Sequence, residues 1–383
     1  MAEHPTGSWA RRFHIPSAPE EDPGVDPAAG QDGIQDEPGR TVARAARSMD
    51  HGVLRTVFQD LVGRPPYAAE YESWMGKGLA ELLDDLLGSP EFWQQWWEEQ
   101  LYYFLLIDGF RPEMDSAREV PRKLAEGRLS ARDAVHRLAL TSSFDLRNPG
   151  ADTFVTVVME QICGMTVQKA TRDLEIGKHA YDGGSGRFLG TTAKSQADVV
   201  RICVEHKRSS LHLLAREYER LIKRSADPGK LAAWARQQHR DPYSYLSLVR
   251  EWFLSDGYLD RLATTVSKPN RLFIRGLFVD LLGRLPTAAE MEPMRYALDG
   301  LSDSRPLRSV LVRLLLDSGR ASLPTKISLE DPTAWTSEQF QRLLGRPALP
   351  QELETFVSIF HQDDCQPATI MYALLTTAEY HRY

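Results

Sequence analysis

The sequence predicts an all-α protein of tandem helix-turn-helix repeat units forming two packed helical halves. Three observations predict it. A helix closing on Leu-x-Gly-Arg recurs at three places, and a Ser or Thr followed three residues later by Phe or Tyr recurs at four. Strand signals are sparse: Asp108-Gly109 and Asp256-Gly257 are Asp-Gly pairs, but neither is flanked by the alternating β-branched runs of a hairpin. The chain has 383 residues, 42% of them apolar and 26% charged, the balance of a globular protein with room for a sizeable core. A formal net charge of −7 argues against a nucleic-acid binder working through a broad basic face. No stretch approaches the roughly 18 apolar residues of a spanning helix, so no membrane span is expected.

Residues 1–50 are rich in Pro, Gly, Ala and acidic side chains and lack hydrophobic periodicity, which predicts a disordered tail. Within it, residues 9–15 hold Trp9 and Phe13, candidates for a partner-docking motif, with an inert linker as the favoured reading. Arg11-Arg12 precedes too short an apolar run to be a secretory signal, so a cytoplasmic location is the expectation.

The first repeat copy contains Phe58, Leu61, Gly63, Arg64 and Glu70; the second Phe278, Leu281, Gly283, Arg284 and Glu290; the third Phe340, Leu343, Gly345, Arg346 and Glu352. Phe and Leu three apart form one apolar helix face, the glycine suits a left-handed C-terminal position, and a nearby proline stops the helix. Thr287 and Glu290 form a capping box for the next helix. Each arginine sits at the negative pole of its helix and is expected to pair with its glutamate. A degenerate fourth copy runs from Met159 to Gly164, without the arginine and glutamate. The second signature appears at Ser89/Phe92, Thr141/Phe144, Ser255/Tyr258 and Thr377/Tyr380, where helix capping accounts for the hydroxyl.

Residues 91–104 are the densest aromatic stretch, with Trp93, Trp97, Leu101 and Phe104 on one helical face and Trp96 flanking it. Such a stripe is either core or a partner surface. Residues 173–198 form a glycine-rich insertion read as a flexible loop, with Tyr181, Arg187 and Phe188 as partner-contact candidates; it lacks the order of a phosphate-binding loop. The basic run near Arg208, Arg216 and Arg220, interleaved with Glu217 and Glu219, is expected to be a solvated amphipathic helix. Residues 361–365 read as a loop between helices. Three cysteines, Cys163, Cys203 and Cys365, make no disulfide framework or zinc site, and His206 and His212 do not share a helical face, so no metal and no cofactor is expected.

On Phe58, Gly63, Arg64, Glu70 and the block Leu82 to Phe92 with its following tryptophans, the sequence resembles a bacterial helical domain of unknown function that accompanies c-type cytochrome modules in exported proteins. The CxxCH of that setting is absent, and no export signal is expected, a departure that counts against a periplasmic electron-transfer role. The same Leu-x-Gly-Arg and Ser-x-x-Phe pattern is similar to tandem repeats in the style of phycobilisome linker domains, a likeness that implies a helical module holding other proteins together.

These readings divide the chain into residues 1–50, 51–224 and 225–383, with the boundary at Ser225 to Gly229. They predict a non-catalytic scaffold, adaptor or linker that binds other proteins. The alternative is an enzyme or enzyme subunit with an arginine- and aromatic-lined pocket between the halves, marked by Arg64 or Arg284 turned inward without its glutamate.

Overall fold

The computed structural model describes residues 49–106 and 118–383; the expectations for the tail, including Trp9 and Phe13, lie outside them. The all-α expectation holds: the described residues form twenty α-helices and one two-stranded hairpin. No helix among them is long and apolar enough to cross a membrane.

Eighteen of the helices fall into six three-helix units. The first is α1 (His51–Leu61), α2 (Ala68–Trp74) and α3 (Leu79–Gly88); the second α4 (Pro90–Leu105), α5 (Val120–Ala125) and α6 (Ala131–Ala139). After the short α7 (Ser142–Arg147) comes the third, α8 (Gly150–Cys163), α9 (Thr171–Tyr181) and α10 (Gln196–Glu205), with strands β1 (Gly186–Phe188) and β2 (Thr191–Ala193) inserted before α10. The fourth is α11 (Lys207–Ile222), α12 (Pro228–Arg240) and α13 (Tyr245–Phe253), followed by the short α14 (Asp256–Leu262). The fifth is α15 (Asn270–Leu282), α16 (Ala288–Asp299) and α17 (Arg305–Asp317). The sixth is α18 (Pro332–Gln339), continued by a π-helical turn (Phe340–Leu344), then α19 (Pro350–Phe360) and α20 (Pro367–Leu375).

Two backbone devices define every unit. The first helix ends on a left-handed residue in all six, at Gly63, Leu106, Gly164, Lys223, Gly283 and Gly345. The third ends on a residue that caps the adjoining turn. In five units a hydroxyl, from Ser89, Thr141, Ser255, Ser318 or Thr377, donates to the carbonyl three residues back at 2.6–2.8 Å. His206 holds that place in the third unit, where its Nδ1 accepts from the Arg208 amide. Each stop turns the chain so that the apolar faces meet.

The units pack into two cores, one spanning Met49 to Tyr258 and the other Phe273 to Tyr380. The expected boundary near residue 225 is therefore corrected. Trp234, Tyr245, Leu248 and Trp252 beyond it are buried in the first core, where Trp234 stacks on Tyr218. The change of core falls after α14. Across it the cores are tied by charge and backbone: Arg275 reaches Glu98 at 2.6 Å, and Val266 and Tyr383 exchange backbone hydrogen bonds at 3.0 Å. The sixth unit also meets the first, with Gly345 so close to Gly52 that a Cβ on it would stand 2.7 Å from the Gly52 Cα.

Candidate functional site

The repeated arginines form the most regular polar geometry in the molecule. Arg64 donates to the Pro65 carbonyl and makes a two-point contact with Glu70 at 2.7 and 2.8 Å; Arg284 does the same with Leu285 and Glu290, and Arg346 with Pro347 and Glu352. In the first and last copies the second signature closes the ring. Glu91, two residues after Ser89, takes the other edge of Arg64 at 2.6 and 2.7 Å, and Glu379, two after Thr377, takes that of Arg346 at 2.6 and 2.8 Å. In the fifth unit the residue two after Ser318 is Arg320, which binds Glu290 instead at 3.0 Å. The side-chain hydrogen bond to Arg346 holds the Glu352 carboxyl down at about 2. Each guanidinium has carboxylate acceptors, so these arginines fasten a helix end to the start of the next helix and, in two units, to the closing turn. Neither Arg64 nor Arg284 presents a free cation to a pocket, the feature that would have marked an enzyme.

The position two residues after the motif phenylalanine holds Asp60, Asp280 and Arg342, and these lie in buried networks that the motif gave no sign of. Asp280 accepts two bonds from Arg55, at 2.6 and 3.1 Å, and one from the Tyr380 hydroxyl at 2.8 Å. Arg342 donates to the Asp280 carbonyl, and its own carbonyl accepts from Arg55 and Tyr71. Asp60 accepts from Tyr258 at 3.1 Å and Arg261 at 3.3 Å, with the Lys223 ammonium 3.8 Å away. Burial alone would push the Asp280 carboxyl up, but the Arg55 charge and its hydrogen bonds outweigh it and leave the group below its ordinary value. At Asp60 burial wins, and the carboxyl is raised despite Lys223 and Arg261. Both sites join distant units.

The aromatic candidates move inward. Trp93, Trp96 and Trp97 are buried, with Trp93 edge-on to Trp96 at 5.5 Å and both against Tyr245. A partner surface there is excluded, because the amphipathic stripe of α4 is core on nearly every side. The glycine-rich insertion is corrected too: it contains an ordered antiparallel hairpin whose two-residue turn, Leu189 and Gly190, has φ of 45° and 83°. Positive φ at both positions is the turn geometry that matches strand twist. Phe188 is buried beneath it, so it anchors the hairpin instead of facing a partner. Arg187 is exposed and bonds the Gly190 carbonyl at 2.9 Å, inside the turn, and Tyr181 is half-buried, packed on Phe154 at 5.3 Å. Glu217, expected on a solvated face, is buried and accepts from Arg220, Tyr245 and Gln100 at 2.8–2.9 Å. The three cysteines are buried and unbridged, and residues 361–366 do connect two helices. Among the described residues no group of three His, Cys, Asp or Glu is placed to hold a metal ion.

What sequence reading missed is an apolar line on the outside. On α17 the inner face is Leu311, Val312, Leu315 and Leu316, which are buried, while Pro306, Val310 and Leu314 stand four apart on the solvent side. Val310 is 50% exposed and Leu314 60%. The signal was present as apolar residues at i, i+4 and i+8, out of phase with the buried set. No family model, curated protein or solved structure matches this chain.

Proposed function

We propose that this protein is a helical-repeat scaffold that docks another protein through the outer face of α17. The observation behind this reading is the line of Pro306, Val310 and Leu314, which stands exposed outside the second core, although α17 already buries a complete apolar face in it. Single exposed apolar residues are ordinary, whereas three at one-turn spacing form the strip that helix-in-groove contacts use. Arg313 and Asp317 flank the strip and bond each other at 2.8 Å, giving it a polar rim. Two further features support a holding role. The repeated arginines are engaged with glutamates, and the cross-unit bonds of Asp60 and Asp280 make a braced platform.

The test compares the proteins captured by the full chain with those captured by Val310→Glu/Leu314→Glu, read by quantitative mass spectrometry. Circular dichroism confirms that both are folded. A protein held stoichiometrically by the parent chain and lost from the variant supports the reading; an identical set from both, or no partner for either, overturns it.

A further inference from the structure

A crevice inside the first core is lined, among the described residues, by two arginines and no carboxylate. Its walls come from four helices of three units: Phe104 of α4, Arg132 of α6, Gln161 of α8, and Ser209, His212 and Arg216 of α11. It has about 20 Å³ of space, enough for a water-sized group or one oxygen of an anion whose remainder points outward.

The donors along it are underused. The Arg216 guanidinium lies 3.7 Å over the Tyr103 ring and gives Nη2 to Gln100, but its Nη1 is buried with no acceptor among the described residues. The nearest carboxylate oxygen, on Glu217, stands 3.9 Å from Nη2 and already serves Gln100, while the other Glu217 oxygen serves Arg220 and Tyr245. Arg132 spends Nη2 on the Gln238 and His239 carbonyls at 3.2 and 2.9 Å. One turn before His212, Arg208 also has a buried Nε without an acceptor among the described residues. His212 is itself buried, its Nε2 3.1 Å from the Tyr103 hydroxyl. Burial, then the charges of Arg216 and Arg208, push its pKa down to about 3, so the ring is neutral at ordinary pH. The acidic neighbours of Arg132 are Asp133 and Glu205; Asp133 accepts from Ser130 at 2.8 and 2.9 Å, and Glu205 is held by Arg201 at 3.1 Å.

A guanidinium drawn out of water is favourable only when its donors and charge are matched, and Arg216 meets its counter-charge, Glu217, only at 3.9 Å. Elsewhere in this core the buried Arg261 and Arg64 meet carboxylates. The geometry points to a binding site for an oxyanion, the phosphate or carboxylate group of a small molecule, held between Arg132 and Arg216 with Ser209 and His212 beside it. Planar guanidinium donors suit such a group, and the aromatic rings under Arg216 keep its orientation. This site is independent of the α17 strip.

The test is calorimetric titration of the full chain with inorganic phosphate and, separately, acetate, at constant ionic strength set with chloride. Saturable binding of phosphate alone assigns a phosphate group, and of acetate as well a carboxylate; either supports the site if Arg132→Gln and Arg216→Gln each weaken it at least tenfold. Should Arg216→Gln fail to fold, Arg132→Gln and the crevice-filling Ser209→Leu decide. ¹⁵N-histidine spectra add a second readout, in which the His212 signal shifts on binding. No saturable binding of either ion, unchanged binding in the variants, or an unmoved His212 signal overturns the proposal.

Discussion

Asp60 and Asp280 occupy the same position of the repeat, each accepts a hydroxyl from the tyrosine of a closing signature, and their carboxyls shift in opposite directions. The cause is the cation each one meets. Arg55 forms a two-point pair with Asp280, whereas Asp60 has a longer bond to Arg261 and a lysine at 3.8 Å. Equal sequence positions thus have unequal energetics.

Asp280→Asn is expected to destabilise the fold by about 3–5 kcal/mol at neutral pH, because it leaves Arg55 buried without its counter-charge. The folded-state pKa of Asp280 is lowered, so its contribution is present above the unfolded value of about 3.9 and fades as pH falls through the folded value. The cost of the substitution therefore shrinks in acid. For Asp60 the sign reverses: its raised pKa means that ionisation opposes folding, and the effect grows as pH rises through the folded value. Asp60→Asn should cost less than Asp280→Asn and compare most favourably with the parent at neutral pH. Urea unfolding of both variants at pH 4 and pH 7 checks this, and a common pH trend for the two would contradict it.

The three motif glycines should respond to alanine in a fixed order. All three have φ between 63° and 72°, a conformation that costs an ordinary residue about 1–2 kcal/mol. A Cβ at Gly283 would meet nothing within 4 Å, so Gly283→Ala pays that amount alone. At Gly63 it would stand 2.6 Å from the Gln95 side chain, which can move at the expense of its bonds to Glu99 and Arg275. At Gly345 it would strike the Gly52 backbone, which has no such freedom. Melting temperatures should fall least for Gly283→Ala and most for Gly345→Ala.

The same glycines show what was legible in the sequence. Gly63, Gly283 and Gly345 advertise a left-handed stop because glycine is the residue that adopts it freely. The second and fourth units make the same stop with Leu106 and Lys223, at φ of 52° and 60°, and there the sequence carries no sign of it. Neither residue is a glycine, so three full copies and one degenerate copy were visible where the described residues form six units. The closing signature was readable in four places because the hydroxyl and the aromatic both survive; Ser318 keeps the hydroxyl but is followed by Ala321, and His206 replaces it. The pairing of each arginine with its glutamate was legible from the fixed offset of six. The third member, Glu91 or Glu379, was not, since its partnership depends on how two turns pack.

Trp96→Ala tests the inward placement of the aromatic stretch. The side chain is fully buried between Trp93 and Tyr245, and its removal should cost about 3–5 kcal/mol through lost contacts and a cavity. Leu314→Glu, on the outer strip, should leave stability within about 0.5 kcal/mol. Thermal denaturation of the two variants separates core from surface; equal losses would place Leu314 in a packed site.

The arginine pairs allow a test of the repeat itself. Arg64 is buried with Glu70 and Glu91 on both edges, so Arg64→Ala should cost about 2–4 kcal/mol, moderated by the solvent its glutamates retain. Arg284 is nearly half exposed and has Glu290 alone, and Arg284→Ala should cost about 1 kcal/mol or less. The fifth unit departs from the other two because Arg320 stands where Glu91 and Glu379 stand, and it competes with Arg284 for Glu290. Arg320→Glu restores the pattern of the first and sixth units: the new carboxylate would lie two residues after the capping Ser318, as Glu91 does after Ser89, and within reach of the free edge of Arg284. The substitution exchanges one exposed ion pair for another, so stability should stay the same or rise by up to about 1 kcal/mol, and Arg284→Ala should then cost more than in the parent chain. A double-mutant cycle by urea unfolding measures the coupling between positions 284 and 320. A favourable coupling shows that the fifth unit is built on the same turn as the other two, and zero coupling with a net loss of stability would show that its closing turn is placed differently.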